Sequence, residues 1–152
     1  MKNSIPLNGF IQIALVVEDV ESALDEWCKL FNVERPKIDV TEAIPNPDVL
    51  YRGEVSCYAQ KMAVIDCRDR GFVVEILEPN ENPSTFREFL DKHGNGVHHI
   101  GFEVGEARDD VVSELETLGY VMRTVGMYKG GSWTIVDGEE KLGVNLNVKP
   151  HA

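Results

Sequence analysis

The first half of this chain is repeated in its second half. Gln12-Ile13-Ala14-Leu15-Val16-Val17, followed by a helical periodicity, returns as His99-Ile100-Gly101-Phe102-Glu103-Val104, followed by another. A second pair closes each half: Gly71-Phe72-Val73-Val74-Glu75 and Gly143-Val144-Asn145-Leu146-Asn147. Repetition of this kind means that one supersecondary unit is used twice, each copy burying its apolar face against the other. Each half also sets a polar, metal-capable side chain at the same point of its first strand and of its last. Gln12, Glu75, His99 and Asn147 therefore converge if the halves pack about a pseudo-twofold axis.

Local patterning fills in the unit. Phe10 to Val17 is rich in β-branched and large apolar residues and reads as a strand. Val20, Ala23, Leu24, Trp27, Leu30 and Phe31 follow at helical spacing, with Asp19 as N-cap and with Trp27 and Phe31 expected in the core. Pro36, Pro45, Pro47 and Gly53 mark a loop around one short edge strand. Ser56 to Asp66 and Phe72 to Leu77 read as a hairpin turning at Arg68-Asp69-Arg70-Gly71. A connector follows, in which Thr85 and Glu88 have capping-box spacing and Gly94 and Gly96 end a short helix.

The second unit begins with a strand at Val97 to Val104. A helix with Val111, Leu115 and Leu118 on one face then stops at Gly119. Strands near Tyr120 to Thr124, Trp133 to Asp137 and Val144 to Val148 complete it, with a solvated turn over Asp137 to Lys141. One helix followed by three strands, twice, is an α+β pattern rather than a doubly wound one. The predicted architecture is two βαβββ modules forming a cup-shaped mixed sheet around a central cavity. Module one covers about 10–78, the connector about 79–96 and module two about 97–149.

Charge and cysteine usage narrow the partners. A formal net charge of −11 argues against nucleic acid and anionic membranes, which reward clustered Lys and Arg. Cys28, Cys57 and Cys67 are odd in number and show no CxxC spacing, the pattern of reduced thiols in a cytoplasmic protein. The segment Met1 to Pro6 lacks a signal-peptide apolar stretch, and no run approaches the roughly 20 apolar residues of a membrane span.

The text Gln12 to Val20, Val74-Glu75-Ile76-Leu77-Glu78-Pro79 and Phe89 through His98-His99-Ile100 resembles the vicinal oxygen chelate superfamily, most closely its epimerase-like branch. That superfamily includes glyoxalase I, extradiol dioxygenases, bleomycin-resistance proteins and methylmalonyl-CoA epimerase. The resemblance covers about Phe10 to Val148 and implies one divalent metal held by ligands at the four repeat positions. Epimerases of this kind usually carry His, Gln, His and Glu where this chain has Gln12, Glu75, His99 and Asn147. Asn147 thus replaces a carboxylate that would bind metal and move protons. A second family glutamate aligns near Cys57, where Glu54 substitutes only if its strand is shifted or bulged.

For the individual residues both readings stand side by side. Gln12 is either a ligand or a glutamine hydrogen-bonded inside a cavity, since buried polar groups need partners. Glu75, facing inward with Val73 and Leu77, needs a metal or a basic group to offset burial of its charge, and is the expected catalytic residue. His99 is expected to ligate, and His98, one residue earlier, to face the opposite side as a structural or supporting residue. Cys57 is a possible cavity residue. Met127 to Trp133 is either a mobile rim loop offering Tyr128, Lys129 and Trp133 to a substrate or an ordinary hairpin turn.

One carboxylate, one imidazole and two amides would hold Co²⁺, Mn²⁺, Ni²⁺ or Zn²⁺ weakly or not at all. Two functions remain. The first is metal-assisted isomerase or lyase chemistry that moves a proton next to a carbonyl, epimerase-like on an acyl-CoA thioester or lactoylglutathione-lyase-like. The second is a non-catalytic small-molecule-binding cup with a degraded metal site. A homodimer with a twofold axis is expected.

Overall fold

Strand β1 (Phe10–Val16) runs into helix α1 (Val20–Phe31), capped by the Asp19 carboxylate, which accepts from the Ser22 amide. The computed structural model describes residues 2–151. After β2 (Asp39–Val40), β3 (Asn46–Tyr51) and β4 (Glu54–Ser56), the first half ends with β5 (Gln60–Cys67) and β6 (Phe72–Pro79). Helix α2 (Thr85–His93) connects to β7 (Gly96–Glu103) and α3 (Arg108–Thr117). The second half closes with β8 (Val121–Tyr128), β9 (Gly131–Asp137), a short α4 (Glu139–Leu142) and β10 (Asn145–Lys149).

All strands belong to one sheet in the order β2-β5-β6-β1-β7-β10-β9-β8-β3-β4. The repeat is visible in that order. Strands β2-β5-β6-β1 form one module and β7-β10-β9-β8 its mirror, joined by the antiparallel pairing of β1 with β7. Within each module the first and last strands pair in parallel, β1 with β6 and β7 with β10. That brings the ends of both halves, and their polar side chains, to the middle of the sheet.

Period-two alternation sorts the strands into two faces. On the outer face, Val17, Val74 and Ile76 pack under α1 with Val20 and Leu24, while Val136, Leu146 and Val148 pack under α3 with Val111 and Leu115. On the inner face, Ala14, Val16 and Leu77 meet Phe86, Phe89 and Leu90 of α2. The connector helix therefore fills one end of the cup and leaves the other open. Each fully buried side chain such as Leu24 contributes roughly 1.5–3 kcal/mol.

Several expectations are corrected. The proline-rich stretch holds a hairpin, β3–β4, turning through Arg52 and Gly53, both at positive φ. This hairpin leaves its own module and pairs β3 with β8 of the other, Val49 opposite Gly126. The cap of α2 is Ser84, whose hydroxyl accepts from the Arg87 amide, one residue before the expected Thr85. Phe31 and Leu118 are half exposed, at the last residue of α1 and just past the end of α3. The expected turn over Asp137 to Lys141 contains α4, and of the two readings of Met127 to Trp133 the hairpin turn holds, as the tight end of the β8–β9 hairpin.

Candidate functional site

Three of the four repeat positions, Glu75, His99 and Asn147, line one cavity of about 200 Å³ at the open end of the cup. Gln12 joins them from beneath, its amide nitrogen 3.1 Å from His99 Nε2. Two backbone irregularities create this arrangement. Between Phe10 and Gln12, β1 carries an extra residue against β7, which sets Gln12 opposite Gly101. Only glycine fits there, since a Cβ at Gly101 would lie 2.5 Å from Gln12 Oε1.

The second irregularity corrects the placement of His98. Ala14 pairs with His99 but Leu15 pairs with Val97, so His98 is the extra residue of a β-bulge. The bulge brings both imidazoles to the same side, Nδ1 to Nδ1 at 2.8 Å, with ring planes 85° apart. Both are buried. The donors follow in order. Gln12 donates to His99 Nε2, His99 then carries its proton on Nδ1 and donates to His98, and His98 Nε2 faces Thr85 Oγ1 at 3.3 Å. Burial holds His98 down to a pKa of about 4 and His99 well below its ordinary value, so both are neutral at pH 7.

Glu75 is raised above the ordinary carboxylate range by burial, opposed by the charge of Lys149 and by a hydrogen bond from Gln12. It borders the cup cavity and also an adjoining one of about 270 Å³. Lys149 borders both as well, and it is a residue that sequence reasoning missed. Its position two residues after Asn147 on β10 puts it on the same face, one pleat further along. Tyr58, Gln60, Met62 and Phe86 also line the wall, beside Leu77 and Ile135, and were missed too. Gln60 and Met62 alternate on β5, which was the available signal. The Oε1 atoms of Gln12 and Gln60 are buried and have no hydrogen-bond partner among the described residues.

Of the three rim residues, only Trp133 lines the cavity. It lies flat on Gly126, where a Cβ would come within 2.1 Å of the indole. Tyr128 is exposed and packs over Gly131, and Lys129 is exposed at the turn, so neither reaches the cavity. Cys57 is exposed beside Asn82, outside the cavity, and Glu54 lies exposed on β4 at the outermost edge of the sheet. Among the described residues, no carboxylate of the cavity wall takes the place of the one missing near Cys57.

The donor set decides whether a divalent metal fits. The Asn147 Oδ1 atom accepts from the Thr134 amide at 3.2 Å. Gln12 Oε1 is turned onto Gly101, and His99 Nε2 is engaged by the Gln12 amide. Among the described residues, no three His, Cys, Asp or Glu side chains are grouped to hold a metal. A divalent ion here would gain one carboxylate and meet the ammonium of Lys149 in the same cavity. As arranged, these residues do not fit a tightly held divalent metal. What they can do is hold a small polar group between the carboxyl group of Glu75 and the ammonium of Lys149.

Residues 11–136 match the family described as the Glyoxalase/Bleomycin resistance protein/Dioxygenase superfamily. We find no curated protein whose sequence matches this one. Among solved structures, methylmalonyl-CoA epimerase from Mycobacterium tuberculosis is similar at 16% identity and TM-score 0.61, covering 95% of this chain and 88% of that one. A variant of the Streptomyces coelicolor epimerase in complex with 2-nitronate-propionyl-CoA is 19% identical at TM-score 0.60, covering 98% and 99%. A methylmalonyl-CoA epimerase in complex with methylmalonyl-CoA and NH4+ is 20% identical at TM-score 0.59, covering 98% and 96%. At these identities the likeness is one of fold. No helix among the described residues is long and apolar enough to cross a membrane.

Proposed function

Because the chain belongs to the glyoxalase/bleomycin resistance protein/dioxygenase superfamily, we propose that its cup moves a proton at the carbon next to a carbonyl, with Glu75 as the acid and base. The observation that carries this reading is Glu75 itself. It is a carboxyl group raised by burial at the wall of a cavity, and its proton affinity is thereby brought toward the working pH. Glu75 as carboxylate takes the α-proton, the C–H electron pair becomes the new C=C bond as the C=O π pair moves onto the carbonyl oxygen, and the acid formed at Glu75 returns a proton to the carbon. Phe86, Trp133 and Met62 line the same cavity and give it an apolar side.

A cavity of about 200 Å³ is smaller than the roughly 300–1,000 Å³ that buries a whole drug-sized ligand. It suits the acyl end of a substrate whose remainder lies outside, and an acyl-CoA thioester is such a molecule. Similar folds bind methylmalonyl-CoA and a propionyl-CoA nitronate, which supports the acyl-CoA class over a lactoylglutathione-type substrate. Where a related site holds a divalent metal, the ion polarises the carbonyl oxygen. In this chain Glu75, His99, Gln12 and Asn147 are the side chains nearest to such a role.

A second reading, a non-catalytic acyl-binding cup, is favoured by Asn147 and by the distance of Glu54 from the cavity. Incubation with methylmalonyl-CoA in deuterated water separates the two. Deuterium at the α-carbon, lost in Glu75→Gln, is the expected result. No deuterium with or without Mn²⁺ or Co²⁺, combined with measurable binding of 2-nitronate-propionyl-CoA, establishes the binding cup instead.

A further inference from the structure

We propose that the ammonium of Lys149 takes the place of the divalent metal in this cup, holding the carbonyl oxygen of the bound substrate and the negative charge that gathers on it. The inference rests on the proton-transfer reading of the same cavity and goes beyond it by naming the group that makes a metal unnecessary.

Three observations on the cavity lead there. Lys149 is the cation among its wall residues, set on β10 one pleat beyond Asn147, where a repeat position has lost its carboxylate. No ion pair engages Lys149 among the described residues. Its charge is nonetheless felt by both Glu75 and His99, whose protonated forms it disfavours. A carboxyl group and an ammonium that share a cavity without pairing leave room for a group between them. A carbonyl with an acidic α-hydrogen meets both needs, the hydrogen toward Glu75 and the oxygen toward Lys149.

The electrostatics favour the exchange of ion for side chain. A metal would find one imidazole where the usual epimerase set has two, with the amide oxygens of Gln12 and Asn147 turned onto Gly101 and the Thr134 amide. One positive charge matches the one negative charge that forms on the oxygen, and in a water-poor site a preorganised cation acts more strongly than in water. During the step the C–H bond breaks, the O–H bond of Glu75 forms, and the displaced pair resides on the oxygen beside Lys149. No other reactant is required.

Calorimetric titration in the presence of EDTA tests this with two thioesters, 2-nitronate-propionyl-CoA, whose planar anion has the shape of an enolate, and propionyl-CoA, whose acyl group is uncharged. The wild-type protein is expected to prefer the nitronate by tenfold or more, Lys149→Met to lose that preference, and Lys149→Arg to keep part of it. An unchanged preference in Lys149→Met, or a wild-type preference that emerges only on adding Mn²⁺ or Co²⁺, overturns the inference. If neither thioester binds, the acyl-CoA reading fails, and cobalt titration alone decides the role of Lys149. Removing the ammonium is then expected to tighten Co²⁺ binding about tenfold, whereas equal or weaker binding in Lys149→Met, or micromolar binding by wild type, refutes it.

Discussion

His98 and His99 touch through their Nδ1 atoms at 2.8 Å, although neighbours on a strand ordinarily point to opposite faces. The bulge in β7 permits it, and it ties the cavity histidine to a second neutral imidazole rather than to a carboxylate. Protonating either ring places a charge in a buried, aromatic setting beside Phe86 and Phe89.

Acid sensitivity follows from this pair. The folded pKa of His98 is about 4 against an ordinary 6.5, so the unfolded chain binds more protons between those values. Stability is fully present above pH 6.5 and is lost as pH falls toward 4, by roughly 3 kcal/mol for His98 alone. Denaturant melts at pH 7.5 and 4.5 measure this loss. The His98→Asn variant should lose less between the two, and an equal loss assigns the acid limb to other groups.

Gly126→Ala should expel Trp133 from the cavity wall, because the new Cβ would stand within 2.1 Å of the indole. The overpacking costs about 1–3 kcal/mol. Tryptophan emission should shift to the red as Trp133 meets water. An unshifted spectrum with unchanged stability means that the indole packs elsewhere.

Asn147→Glu restores a carboxylate at the fourth repeat position. Coulomb attraction should lower the Co²⁺ dissociation constant roughly tenfold, while repulsion from Glu75 lowers the melting temperature of the metal-free protein. Thermal melts with and without Co²⁺ compare the variant with wild type. A metal-dependent shift no larger than the wild-type one places residue 147 outside the ligand set.

The two outermost strands, β2 and β4, leave open edges carrying the exposed Val40 and Val55. Such edges are ordinarily covered. Light scattering at micromolar concentration should give the mass of two chains, and a value near 17.0 kDa rejects the dimer.

The modules and the convergence of Gln12, Glu75, His99 and Asn147 were legible because they depend on local alternation and on repetition. Three features were not. The hairpin from Asn46 to Ser56 owes its existence to pairing with β8, and its prolines and Arg52-Gly53 turn read alone as loop. The bulge at His98 depends on how β1 and β7 register, which no short window of sequence contains. Lys149 continues the Asn145, Asn147 alternation at the last strand's end, where a lysine reads as a solvated terminus. Its cavity position comes from the sheet's curl, as does the failure of Tyr128 and Lys129 to reach inward.

The β3–β4 hairpin has a consequence for how the chain reaches this state. Val49 cannot find Gly126 until β8 of the second module has been made, so the first module waits with its hairpin unclaimed. Pairings so distant in sequence are slow to form. A nascent chain halted between the modules would therefore present both edges of the β3–β4 hairpin to any neighbour, and the arrival of β8 covers the β3 edge.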